Sequence, residues 1–191
     1  MGSANVHPRG REATLVERPD DAVGARILDA ALELLRARGP KAVTMQAIVD
    51  ATGIAKTTIY RRHPNRRSLL AAALETLDER PSVSADADRE QRLRWVIEQS
   101  VDVIARGIGA GGFAALLTDE DPEFSDAFRS ILVAYRRHAI DALELDQHSA
   151  DTVIDMIVGS YVAELARTGA VGDAWVTRLA ALLDGILRMP R

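Results

Sequence analysis

Apolar positions in this chain recur at spacings of three and four almost from end to end, the period of helices with one buried face. Val23, Ile27, Ala31, Leu34 and Leu35 form the first stripe, and Gly39-Pro40 ends it. Thr44 is placed to cap a short helix through Ala51. Thr52-Gly53-Ile54 reads as a turn whose glycine accepts left-handed backbone. A second short helix spans about Ala55 to Arg62 and stops before Pro64. Asn65 then caps a helix carrying Leu69, Leu70, Ala73, Leu74 and Leu77, which ends before Pro81.

The second part repeats the pattern with longer stripes. Residues 82–88 read as a connector. Leu93, Val96, Ile97, Val101 and Ile104 share one face, and Gly107 to Gly112 interrupts them as a flexible loop between helices, with a short helix at Phe113 to Leu117. Asp121-Pro122 is a helix start, followed by Phe124, Phe128, Ile131, Leu132 and Tyr135. Two further stripes follow, Val153 to Leu165, ended near Gly169, and Trp175 to Ile186. No segment alternates with period two, so the fold is all-α with about nine helices. Residues 1–21 lack an apolar period and read as a disordered tail.

Composition narrows the function classes. The chain has 191 residues, 47% of them hydrophobic, and no Cys, so neither a disulfide scaffold nor a thiolate metal site is available. Its uninterrupted apolar runs fall far short of a membrane span, and no secretory signal precedes the first polar segment, which points to the cytoplasm. The net charge of −4 argues against nucleic acid only if it is evenly spread. It is not. Arg36, Arg38, Lys41, Lys56, Arg61, Arg62, Arg66 and Arg67 stand against Asp50 alone, a local balance of +7. Such asymmetry suggests a polyanion-binding module on an acidic body.

The two short helices and glycine turn over residues 44–63 have the layout of a helix-turn-helix. Ile48, Ile54 and Ile59 can pack together and leave Lys56, Thr57, Thr58, Tyr60 and Arg61 facing outward, at least in part. Short polar and basic side chains on an exposed second helix suit a major groove.

From about Ala22 to Leu77 the chain resembles the TetR family of bacterial transcriptional regulators. The resemblance is carried by Ile27-Leu28-Asp29-Ala30-Ala31, Gly39, Val43-Thr44-Met45, Ile48, Gly53-Ile54, Lys56, Thr58-Ile59-Tyr60, Pro64, Arg66 and Leu69-Leu70, in order and at the family's spacing. Departures are Val49 for a small residue, Ala55 for a Ser or Thr cap, His63 for Phe, and Arg66-Arg67 for a Lys-Glu pair. The resemblance implies an N-terminal three-helix DNA-binding domain over residues 22–80 and a helical ligand-sensing and dimerisation domain over 81–191. By resemblance, Thr44, Lys56, Tyr60 and Arg66 would meet phosphates. Gln46, Thr57, Thr58 and Arg61 are candidates for base edges, and Arg62 for either.

The implied function is a ligand-responsive homodimeric repressor on a palindromic operator, with double-stranded DNA, a second copy and an unidentified small-molecule effector as partners. The last two stripes would pair across the dimer through Ile157, Val158, Tyr161, Leu165, Leu179, Leu183 and Ile186. Trp95, Phe113, Phe124, Phe128 and Tyr135 would line the effector pocket, with Arg129 and His138 as polar groups. Gly107 to Gly112 formally matches G-x-G-x-x-G, but a helical stripe rather than a strand precedes it, so no dinucleotide site is expected. His138, Asp141 and His148 lack a metal-binding pattern, and no triad spacing is present. Neither an enzyme nor a cofactor is therefore expected. The alternative is a helical interaction module whose basic segment binds an acidic partner.

Overall fold

The computed structural model describes residues 19–78 and 83–188. The expected tail lies outside them except for its last three residues, which already belong to the first helix. Nine α-helices follow in order among the described residues: α1 (Pro19–Arg38), α2 (Met45–Thr52), α3 (Lys56–Arg62), α4 (Arg66–Glu75), α5 (Arg89–Asp102), α6 (Gly109–Thr118), α7 (Pro122–Leu143), α8 (Gln147–Thr168) and α9 (Asp173–Leu187). No strand occurs among the described residues.

Local chemistry sets most of the boundaries. Asn65 accepts from the Ser68 N–H at 2.8 Å, Asp121 from the Phe124 N–H at 3.2 Å, and Asp146 from the Ser149 N–H at 3.0 Å. Each such cap satisfies a backbone donor that the helix cannot, which is worth about 1 kcal/mol. Asp88 and Gln91 form a reciprocal capping box that starts α5. Gly169 ends α8 in left-handed backbone.

The Gly107 to Gly112 segment is not a loop. It runs through a π-helical stretch (Val103–Ile108) into α6, and Gly107, Gly109 and Gly112 are buried. Helix α1 crosses here: a Cβ on Gly109, whose φ is 69°, would stand 3.3 Å from the Arg36 backbone. Arg36 Nε also donates to the Gly107 carbonyl at 3.0 Å. Sequence logic treats a glycine cluster as a breaker. Here its lack of side chains lets two helices approach closely.

Uninterrupted apolar runs also understate one helix. Helical backbone is continuous over Arg89–Thr118, 30 residues that are long and apolar enough to cross a membrane by those two measures. In the fold this stretch buries Leu93, Val96, Ile97, Ile104 and Ile108 and packs against α1, α7, α8 and α9.

Helices α1–α4 form a bundle around Ile27, Leu35, Ile48, Ile59, Leu70 and Leu74. The body packs α5 against α7, α8 and α9. The bundle joins the body chiefly through α4 on α7 and α1 on α6.

Candidate nucleic-acid interface

Two isoleucines set the rotation of α3. Ile48 on α2 and Ile59 on α3 are both 0% exposed. Burying such a side chain contributes about 1.5–3 kcal/mol, so the rotation of α3 about its axis is strongly specified. The turn is fixed by Gly53, whose φ is 67° and whose N–H donates to the Val49 carbonyl at 2.9 Å. Thr52 Oγ1 donates to the Ile48 carbonyl at 2.6 Å and accepts from the Ile54 N–H at 3.2 Å. Arg26 of α1 closes the motif from outside by donating to the Thr52 carbonyl at 2.9 Å.

With Ile59 inward, Lys56, Thr57, Tyr60 and Arg61 are exposed and Thr58 is half-buried. Lys56 Nζ sits 5.7 Å above the Tyr60 ring centre, so the ammonium and phenol form one amphipathic unit on the surface. Ala55 offers no side-chain cap to α3. Thr44 is exposed, but its hydroxyl already accepts from the Ala47 N–H at 3.1 Å. Gln46 is exposed and donates to Asp50 at 2.8 Å.

Two of the expected contact residues pack against other parts of the chain. Arg62 is half-buried, and its guanidinium lies 3.4 Å from where a Cβ on Gly24 of α1 would be. Arg66 engages the chain itself with its whole guanidinium. Its Nε donates to the Val43 carbonyl at 2.7 Å and its Nη2 to the Pro40 carbonyl at 2.8 Å. Nη1 donates to Asp121 at 3.1 Å and to Glu123 at 2.8 Å, and Nη2 also bonds Asp121. Those five bonds use all the N–H donors of a guanidinium. Arg66, expected by resemblance to meet a phosphate, ties the bundle to α7 in this structure. Burial opposes ionisation of Asp121, but the hydrogen bonds from Arg66 and from the Phe124 N–H outweigh it and hold the carboxyl below the ordinary Asp range. His63, by contrast, is pushed below the ordinary His range by burial and by the neighbouring Arg62 charge.

The same junction consumes other charge. Lys41 pairs with Glu120 at 2.8 Å and Arg67 with Asp126 at 3.2 Å. The acidic run before α7 is thus a counter-surface for the back of the basic segment, beyond its favourable place at a helix N-terminus.

In the body, a cavity of about 260 Å³ opens between α5, α7 and residues 83–85. Trp95 and Tyr135 line it as expected of pocket residues, together with His138, Gln99, Ser100 and Arg92. The other four do not. Phe124 and Phe128 are fully buried and stack on each other at 5.9 Å, so they are core. Phe113 is half-buried on α6. Arg129 is exposed and pairs with Asp119 and Asp126. Aromatic identity could not separate core from cavity wall. Small and polar positions such as Gln99, Ser100 and Ala139 mark the cavity better, because they leave space and hydrogen-bonding capacity.

The residues expected at a dimer face divide between the core and the surface of the single chain. Ile157, Tyr161, Leu179 and Leu183 are buried within the single chain, with Tyr161 edge-on to Trp175 at 6.1 Å. Val158 is half-buried, and Leu165 and Ile186 are exposed. The outward stripe lies one helical step away, at Met156, Gly159 and Ala163 on α8 and Ala181, Leu182 and Gly185 on α9, with Leu182 59% exposed.

The comparisons agree with this geometry. A sequence model of bacterial regulatory proteins of the TetR family matches residues 27–73, the stretch from the first buried Ile of α1 into α4. The chain is 26% identical over 170 residues to the HTH-type transcriptional repressor KstR of Rhodococcus jostii (strain RHA1), an alignment covering 83% of this chain and 71% of that one. The crystal structure of the multidrug binding protein EbrR complexed with ethidium shares the fold, with a TM-score of 0.59 and 16% identity over 85% of this chain and 96% of that one. Residues 27–73 thus match the regulatory proteins of the TetR family, and over most of its length the chain is similar to a transcriptional repressor.

Proposed function

We propose that the chain is a homodimeric, effector-responsive repressor that binds a palindromic operator in the cytoplasm. The observation that carries the reading is the outward face of α3, where Lys56, Thr57, Tyr60 and Arg61 project from a helix whose rotation is locked by Ile59. Lys56 and Tyr60 serve as phosphate contacts and Thr57, Thr58 and Arg61 as base readers. Thr44 and Gln46 lie at the adjoining start of α2. Repression is favoured because the relative KstR is a repressor.

One such helix reads a short half-site, and two-fold pairing places two of them about 34–36 Å apart on successive grooves. The exposed stripe of Met156, Gly159 and Ala163 with Leu182, Gly185 and Ile186 supports pairing through α8 and α9, because small residues let helices approach closely and the large ones then bury against the partner. The cavity between α5 and α7 is the seat of the effector. Trp95 and Tyr135 supply aromatic surface there, and His138, Gln99 and Arg92 supply polar groups. EbrR, a protein of the same fold, binds ethidium, which supports a small-molecule effector of some kind.

Selection from a random duplex pool tests the reading directly. Enrichment of an inverted repeat with half-sites about one helical turn apart is the expected result. A pool that stays random would sink it and favour an acidic protein as partner.

A further inference from the structure

Tyr135 belongs to two structures at once. Its ring is part of the cavity wall, beside Trp95, Gln99 and Ser100 of α5. Its hydroxyl donates to the Leu77 carbonyl at 2.7 Å. Leu77 sits in the short 3-10 turn (Thr76–Asp78) that follows α4, and its side chain is buried. A Cβ on Gly107 would stand 3.1 Å from Leu77 Cδ1, so the end of α4 also rests on the continuous α5–α6 stretch.

The other end of α4 is fixed by Arg66 to Asp121 and Glu123. Both anchors are on α7 or at its cap. They lie 12–14 residues apart along it, roughly 18–21 Å at the helical rise of 1.5 Å per residue. One anchor, Arg66, also grips the Val43 and Pro40 carbonyls at the threshold of α2, so it links the reading head to α7. The other anchor is shared with the cavity. An occupant that turns the Tyr135 ring, or that offers the hydroxyl a competing acceptor oxygen, changes the Leu77 anchor and leaves the Arg66 anchor in place.

We propose that Tyr135 is the positioning residue that reports the contents of the cavity to the reading head, by holding or releasing the Leu77 carbonyl at the end of α4. Release lets α4 pivot about Arg66 and carries α2 and α3 with it. The inference rests on the reading of the cavity as the effector's seat.

The test needs no effector. Ala139 and Ala142 are small, buried and part of the cavity wall, so Ala139→Leu and, separately, Ala142→Leu occupy the space from within. Operator affinity of the full chain is measured for each plug, for Tyr135→Phe, and for each plug combined with Tyr135→Phe, after helicity and unfolding midpoints have shown which variants fold. The expected result is non-additive: a plug and Tyr135→Phe each weaken operator binding about tenfold, within the usual range of allosteric coupling, and together they weaken it no further. A combined weakening of about a hundredfold would show two independent effects and overturn the relay. So would wild-type affinity in Tyr135→Phe beside weakened plugs. If both plugs folded and bound operator as the wild type does, the effector reading of the cavity itself would fall, and the relay with it.

Discussion

Helices α3 and α4 start ten residues apart and both starts are basic, yet they use their charge in opposite ways. On α3, Lys56 and Arg61 are exposed, and Lys56 lies over the Tyr60 ring. At the start of α4, Arg66 has 23% of its side chain exposed and is bound to Asp121, of which 8% is exposed. Charge density along the chain cannot separate these cases. What separates them is the body: Glu120, Asp121, Glu123 and Asp126 form an acidic ledge that pairs with Lys41, Arg66 and Arg67, and that ledge does not reach Lys56 or Arg61. A positive segment thus divides into a reading surface and a mechanical joint.

The largest expected effect tests the joint. Arg66→Ala leaves the Asp121 carboxylate mostly buried without its partner and frees the Val43 and Pro40 carbonyls. Breaking such a pair costs about 2–4 kcal/mol, toward the lower side of the fully buried range because Glu123 remains half in water. Chemical denaturation measures the destabilisation, and Asp121→Asn in the same chain should recover part of it. The salt dependence of operator binding should keep its slope, since Arg66 has no donor left for a phosphate. A slope lowered by about 1 per subunit would instead restore Arg66 to the DNA interface.

The reading surface gives the next effect. Lys56→Ala with Tyr60→Ala should weaken operator binding roughly tenfold to a hundredfold and reduce the salt slope by about 1 for each phosphate no longer neutralised. Unfolding stability should change by less than about 0.5 kcal/mol, because neither side chain supports the core. The pattern is the reverse of Arg66→Ala, so measuring both quantities on both variants decides the comparison. An unchanged affinity would place DNA on another face.

The contrast also explains which features were legible in the sequence. Helices α1–α4 could be placed because local rules coincide: caps at Thr44 and Asn65, a glycine turn at Gly53, a proline stop at Pro64, and Ile48 and Ile59 at the inward positions. The body was legible as helices but not as surfaces. Periodicity assigns an apolar face without saying whether its own chain or a partner covers it. Ile157 and Leu183 therefore looked the same as Leu182 until the packing was known. Similarly, Phe124 and Phe128 resemble Trp95 as residue types, and only the position of α5 beside α7 makes Trp95 a wall and the phenylalanines core. The role of Arg66 was hidden because its partners lie 55 and 57 residues away.

Acid titration sharpens the joint further with a smaller effect. The folded-state pKa of Asp121 is lowered, so its contribution is complete above the unfolded Asp value of 3.8 and is lost as pH falls below that toward the folded value. The lowered pKa of His63 gives a separate signal of the same sign at higher pH. Its contribution is complete above 6.5 and declines as pH falls from there toward the folded value, since only the unfolded chain takes the proton readily. Stability measured against pH should therefore show two downward steps on acidification. The lower should weaken in Arg66→Ala, and the upper should disappear in His63→Asn. An Arg66→Ala chain that kept the full lower step would mean that Asp121 is held by its α7 cap alone.

The smallest effect is expected at the very next residue. Arg67 stands beside Arg66 at the same helix start and also faces an acid of α7, Asp126, at 3.2 Å. Both members of this pair are more than half exposed, at 63% and 56%. Water then screens the attraction and holding two long side chains costs entropy, so the pair contributes about 0–1 kcal/mol. Arg67→Ala should shift the unfolding free energy by less than about 0.5 kcal/mol. The operator salt slope distinguishes two roles for this exposed guanidinium. It stays unchanged if Arg67 remains on Asp126 in the complex, and falls by about 1 per subunit if Arg67 exchanges the carboxylate for a phosphate. The geometry favours the first, because Arg67 shares its helix end with a neighbour whose anchoring holds α4 against the acidic ledge. A lowered slope would move the border between joint and reading surface from the His63–Asn65 turn to the single bond between Arg66 and Arg67.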